Sequence, residues 1–149
     1  MNLTERINED IKNAMKNKES FKLGVIRSIK GGIQLAKIEV KHELTDEEVI
    51  DVISKQIKMR KDSIAEFTKA GREDLAKQYQ EEIAILNEYM PEQLSKEEVE
   101  KIIAEAFNET NPTSMKDMGK IMKIVTLKVK GRFDIGEVSK IIKEKLNNL

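Results

Sequence analysis

Apolar residues return every three or four positions along almost the whole chain, and only two prolines and seven glycines are available to interrupt them. A strand facing a core needs alternation with a period of two, whereas a helix needs a period near 3.6. No segment here alternates convincingly, so the pattern dictates an all-α fold. Composition agrees: Lys, Glu, Ile, Leu and Ala dominate, all but Ile among the stronger helix formers, and there is no Trp. Although 36% of the residues are charged, the charges alternate with apolar positions and do not run in blocks, which argues against disorder.

Local signals divide the pattern into seven expected helices. The first carries Leu3, Ile7, Ile11 and Met15 and ends near Asn17. The second runs from about Glu19 to His42, with Ile26, Ile29, Ile33, Ala36 and Val40 on one face. Gly31 and Gly32 interrupt its middle at a cost of roughly 1 kcal/mol each against alanine, which implies either a bend or a neighbour packed on bare backbone. Thr45 and Glu48 form a capping box, opening a third helix that Gly71 stops in the left-handed conformation. The fourth, from about Glu73 to Tyr89, places Leu75, Tyr79, Ile83 and Leu86 in phase, and Pro91 ends it.

The scarcity of other breakers makes Met90-Pro91-Glu92 the expected domain boundary. A four-helix N-terminal region, 1–91, is expected to precede a small three-helix C-terminal bundle, 92–149. In the second part, Ser95 and Glu98 form another expected capping box, ahead of Val99, Ile102, Ile103 and Phe107. Ser114 with Asp117 caps the sixth helix, which ends at Gly131. Asp134 caps the seventh, whose apolar face is Ile135, Val138, Ile141, Ile142 and Leu146.

Catalytic chemistry leaves little trace. The chain has no Cys, which removes disulfides, thiol catalysis and cysteine-built zinc sites. The single histidine, His42, reads as a solvated residue favoured by a helix C-terminus. Glu47-Glu48 and Glu97-Glu98 fall in first helical turns, where negative charge is favourable in its own right. Glu81 and Glu82, being adjacent, point about 100° apart. No phosphate loop, dinucleotide fingerprint or nucleophile elbow is present. Neither a metal nor a cofactor is expected. No apolar run approaches a membrane span or a signal-peptide core, so a cytoplasmic protein without membrane attachment is expected.

Charge is more informative. The formal net charge is zero, so nucleic acid would have to meet a local patch. Residues 112–149 hold nine Lys or Arg against four Asp or Glu, while residues 92–111 hold two against six. On the sixth helix Met118, Ile121, Met122, Val125 and Val129 fall within about 100° of arc, and Lys116, Lys120, Lys123 and Lys130 within about 80° on the opposite side. Such a ridge suits successive phosphates of a folded RNA, and it equally suits a plain solvated helix face. Arg132, in the turn beyond, would extend it with a bidentate donor. A weaker parallel joins Arg27, Lys30, Lys37 and Lys41 on the second helix, with Gln34 between them. Arg60 projects into the apolar stripe of Val49, Ile53, Ile57, Ile64 and Phe67, where it needs a partner. Glu82 on the following helix is the candidate for a structural ion pair.

Several of these stretches form a recognisable set. Lys61-Asp62-Ser63-Ile64, then Phe67 and Ala70-Gly71-Arg72-Glu73-Asp74-Leu75-Ala76, resembles the central signature of the GatB/YqeY-domain family. So does Glu82-Ile83-Ala84-Ile85-Leu86 leading to Tyr89-Met90-Pro91-Glu92-Gln93-Leu94-Ser95. Lys116-Asp117-Met118-Gly119-Lys120-Ile121-Met122 and Gly131-Arg132-Phe133-Asp134 are similar to it as well. Two positions depart from the pattern: Tyr79 stands where members commonly carry an acidic residue, and Ile135 follows Asp134 where Gly is common.

The resemblance implies a two-part helical fold and kinship with the tail of the B subunit of the glutamine-dependent aminoacyl-tRNA amidotransferase. That tail helps to hold the tRNA while other domains perform the chemistry, and similar modules are appended to some glutaminyl-tRNA synthetases. The function expected from it is a non-catalytic, tRNA-binding accessory module. Two alternatives stay open. One is an adaptor that docks on an aminoacyl-tRNA synthetase or amidotransferase. The other is an amidotransferase component, a carbon–nitrogen ligase with glutamine as amide donor, which rests on kinship alone because fold-level analogy confers no activity.

Overall fold

Helix follows helix from one end of the chain to the other, and no strand is present. The computed structural model describes residues 1–149. The elements are α1 (Leu3–Lys16), α2 (Ser20–Val40), α3 (Asp46–Lys69), α4 (Glu73–Asn87), α5 (Lys96–Thr110), a 3-10 turn (Met115–Asp117), α6 (Met118–Val129) and α7 (Ile135–Asn147). They separate into two units, Met1–Met90 and Pro91–Leu149.

The helix ends follow from local chemistry. Thr45 accepts from Glu48 N while Glu48 returns a carboxylate to Thr45 N, so the box that opens α3 is complete. Asn2 caps α1 and Asp134 caps α7 by accepting from Glu5 N and Gly136 N. Gly71 and Gly131 take the left-handed conformation, with φ of 72° and 74°, where any Cβ would be strained. At α5 the arrangement differs from the sequence expectation. Ser95 accepts from Glu98 N, but the Glu98 carboxylate takes the Ser95 hydroxyl and not its backbone N–H. Ser114 and Asp117 do form a capping box, yet it opens the 3-10 turn, and the α-helical hydrogen bonding of α6 begins only at Met118.

The first unit closes over Ile7, Ile11, Val25, Ile26, Ile29, Ile33, Val49, Ile53, Ile57, Leu86 and Tyr89. Burying each large aliphatic side chain contributes about 1.5–3 kcal/mol, and no charged residue is fully buried to oppose that gain. Two positions expected inside lie outside. Met15 and Val40 are exposed, and Ala14 joins the buried set in place of Met15. A step of seven from Ile7 returns closer to the same face than a step of eight. The Gly31-Gly32 pair does not break α2, which is continuous. Gly32 lies under α3, where an added Cβ would be 2.8 Å from both Val52 Cγ1 and Gln56 Nε2. The Gln56 amide fastens the same seam, donating to Ser28 O at 2.9 Å and accepting from Ser28 Oγ at 3.2 Å.

The second unit closes over Val99, Ile103, Ala106, Ile121, Val125, Val129, Val138, Ile142 and Leu146. Its entry segment is laced to the α6–α7 turn. Leu94 N donates to Arg132 O at 2.8 Å, Gln93 Nε2 to Gly131 O at 3.0 Å, and Arg132 Nε to Glu92 O at 3.1 Å. The stretches at 91–95 and 131–134, far apart in sequence, thus form one hydrogen-bonded corner.

Candidate nucleic-acid interface

α6 turns Ile121, Val125 and Val129 fully inward and half-buries Met118 and Met122. The opposite side carries the lysines. Lys116, Lys120, Lys123 and Lys130 are all exposed. No carboxylate forms a salt bridge with Lys116, Lys120 or Lys123. Only the middle pair stands on the regular helix, however. Lys116 belongs to the 3-10 turn, and Lys130 is the C-cap of α6, with φ −54° and ψ 126°. The ends of the ridge therefore follow the geometry of the two caps.

Asp117 shares the 3-10 turn with Lys116. Its carboxylate is held below the ordinary carboxylate range first by the backbone N–H of Thr113, with the N–H of Ser114 and the charge of Lys120 adding to the effect. It accepts from Thr113 N at 2.9 Å, so its first task is to hold the turn. Leu127, which helical spacing places on the lysine side, is 77% exposed. The same wheel that assembles the lysines would have found it, but attention to charge passes over an apolar residue.

Arg132 is only half exposed, and its Nε is committed to the Glu92 carbonyl. It braces the corner that ends the ridge, which leaves its terminal nitrogens, and not the whole fork, for any anion.

The second basic set is less uniform. Arg27 and Lys30 are exposed on α2. Lys37 is paired with Glu43 at 2.7 Å. Lys41 leaves the helix in the left-handed conformation, φ 61°. Lys30, Gln34 and Lys37 border a shallow cleft of about 180 Å³ between α1 and α2, floored by Ile7 and Ile33.

Arg60 and Glu82 meet. Nε and Nη2 of Arg60 donate to Glu82 Oε1 at 3.2 and 3.1 Å, and Nη1 donates to Gln56 O at 3.2 Å. The guanidinium also lies 5.9 Å from the Tyr79 ring centre, and Tyr79 packs edge-on against Phe67 at 5.3 Å. Tyr79 thus lends the face of its ring to the Arg60 cation. His42 is exposed, with Nδ1 2.8 Å from Glu43 O and Nε2 3.7 Å from Glu48 Oε2. Tyr89, absent from the sequence-based candidates, is buried. Its hydroxyl donates to Asp10 Oδ2 at 2.5 Å, and the Arg6 guanidinium lies 4.8 Å from its ring centre. Nowhere do three or more His, Asp or Glu side chains gather in a way that could hold a metal ion. No helix is long and apolar enough to cross a membrane.

Among known proteins, one from Pyrenophora tritici-repentis named "Altered inheritance of mitochondria protein 41, mitochondrial" is 34% identical over 142 residues, covering 93% of this chain and 78% of the relative. Proteins of the same name from Kluyveromyces lactis and Saccharomyces cerevisiae are 42% and 40% identical over 84 and 82 residues. Those matches take in 56% and 54% of this chain and only 45% and 44% of the relatives, less than half their length. The names correct one expectation. A plainly cytoplasmic location, inferred from the lack of an apolar leader, does not stand against relatives named as mitochondrial. The inference failed because targeting segments for that organelle are amphipathic and lack a long apolar core. The family described as Yqey-like protein matches residues 4–146, nearly the entire chain with both helical units, and the chain belongs to that family.

Proposed function

We propose that this chain is a non-catalytic accessory module that binds tRNA through the lysine face of its second unit. In this reading the four-helix region, 1–91, is a support, and the three-helix bundle, 92–149, carries the contact. The observation that supports it is the exposure of Lys116, Lys120 and Lys123, free of salt bridges, on the side of the bundle opposite Ile121, Val125 and Val129. Ammonium groups left in solvent release counterions when phosphates replace them, and each such contact adds about 0.7–0.9 to the salt slope of binding. They position an RNA backbone without reading its bases. The resemblance to the amidotransferase B-subunit tail points to the same polymer. Carbon–nitrogen ligase chemistry with glutamine as amide donor would then belong to an amidotransferase partner and not to this chain.

The test is tRNA affinity by fluorescence anisotropy across a salt series, for the wild type and for Lys116→Glu/Lys120→Glu/Lys123→Glu. The reading expects affinity to fall at least tenfold in the triple variant at low salt, with a shallower salt dependence. Equal affinity and equal slope in the two chains would remove it. Ammonia release from glutamine by the purified chain would instead favour a catalytic amidotransferase component.

A further inference from the structure

The outer face of α2 is apolar where a solvent-facing helix is ordinarily polar. Leu35 is 68% exposed and Ile38 73% exposed. At about 100° per residue they share an arc of roughly 60° with Gly24 and Gly31. A Cβ added at either glycine would meet nothing within 4 Å, so bare backbone lies open on the N-terminal side of Leu35 and Ile38, along a strip about 21 Å long. The antiparallel seam with α3, fixed by Gln56 on Ser28, carries the strip onto the neighbouring helix. One turn past Gln56, Met59 is 68% exposed.

The rim decides what fits. On the side away from α3, the strip is bordered by the cations of Arg27 and Lys30, with neutral Gln34 between them and the helix end. Glu39 lies on the other flank, beside α3. A second copy packed antiparallel by the same face about a two-fold axis would set Arg27 and Lys30 against their own equivalents, and in the parallel arrangement the two cations would face the single carboxylate of Glu39, so neither matches the rim in full. A helix with an apolar stripe and a glutamate or aspartate flank meets the strip and the rim together.

We propose that Gly31, Leu35, Ile38 and Met59, rimmed by Arg27 and Lys30, form a docking face for an acidic amphipathic helix of a partner protein. Gly31 lets the partner's side chains approach the α2 backbone, and the two cations fix its orientation. This face lies in the first unit and does not depend on the lysine face of the second, so each can fail without the other.

The probe is a synthetic helical peptide with a leucine stripe flanked by glutamates, titrated into the isotopically labelled full chain and followed by amide chemical shifts. A counterpart peptide carries lysines in place of the glutamates. The expected shifts centre on Gly31, Leu35 and Ile38, with at least tenfold weaker binding of the lysine peptide. Gly31→Leu, which has open space for its side chain, keeps the fold and cuts affinity at least fivefold, as does Leu35→Ser/Ile38→Ser. Arg27→Glu/Lys30→Glu reverses the preference between the peptides. The lysine-face triple variant binds the acidic peptide as the wild type does. Equal binding of both peptides, or shifts centred elsewhere, would overturn the proposal. So would shifts at these residues caused by protein concentration alone, which would assign the face to a second copy, or by added tRNA.

Discussion

The Cγ1 methyl of Val52 packs against the bare Cα of Gly32 so closely that a Cβ there would sit 2.8 Å from it. Gly31, its neighbour, faces open space. Two adjacent glycines in one helix therefore respond in opposite directions to the same change. Gly31→Ala gains helix propensity and should stabilise the chain by about 0.5–1 kcal/mol. Gly32→Ala must push a β-branched side chain out of a packed seam and should cost about 1–3 kcal/mol. Urea unfolding of the two variants measures both, and the same sign for both would refute this account of the seam.

The ion pair of Arg60 and Glu82 is mostly withdrawn from water, its side chains 16% and 13% exposed. Glu82→Ala leaves a guanidinium held only by Gln56 O and the Tyr79 ring, and a loss of about 2 kcal/mol is expected, below the cost of breaking a fully buried pair because solvent still reaches it. Arg60→Met/Glu82→Leu removes both charges together and should cost less than the sum of the single changes. A double-mutant cycle in denaturant gives the coupling; strict additivity would mean that the pair contributes nothing.

Tyr89 donates to Asp10 from a buried position, and its phenol is pushed well above its ordinary value of 10.0, first by desolvation and then by the hydrogen bond to Asp10. A folded state that keeps this proton after the unfolded chain has lost it is penalised as pH rises beyond about 10. The wild type should therefore lose stability progressively above that pH. Tyr89→Phe should lower stability by about 1 kcal/mol at neutral pH and show a flatter alkaline limb. Thermal melts from pH 8 to 11 give the comparison, and parallel curves for the two chains would contradict it.

Arg132 braces the corner between residues 91–95 and the α6–α7 turn through Glu92 O. Arg132→Ala should thus destabilise the chain by about 1 kcal/mol, whereas Lys123→Ala, on an open face, should change stability by less than about 0.5 kcal/mol. In tRNA binding the order should reverse. Calorimetry and anisotropy on the same two variants separate bracing from phosphate contact.

The sequence determined what can be settled within a few residues. The 3.6 period produced helices, Thr45 with Glu48 opened α3, Gly71 stopped it and Gly131 stopped α6, because caps and left-handed turns depend on side chains three or four positions away. The inward side of α6 was legible for the same reason. Its outward side was legible in part: charge marked the lysines, but the 3-10 turn under Lys116 and the cap at Lys130 bend the ends of the ridge.

Tertiary structure alone decided the rest. Gly31 and Gly32 are identical in sequence terms and differ only in whether α3 lies over them. Asp10 and Tyr89 meet across 79 positions, and Arg132 finds Glu92 across 40. Leu35 and Ile38 are as apolar as the core residues beside them, yet no helix covers them. Helical periodicity says which residues share a face; which face is covered, and by what, depends on where the other helices pack, and that is a property of the whole chain.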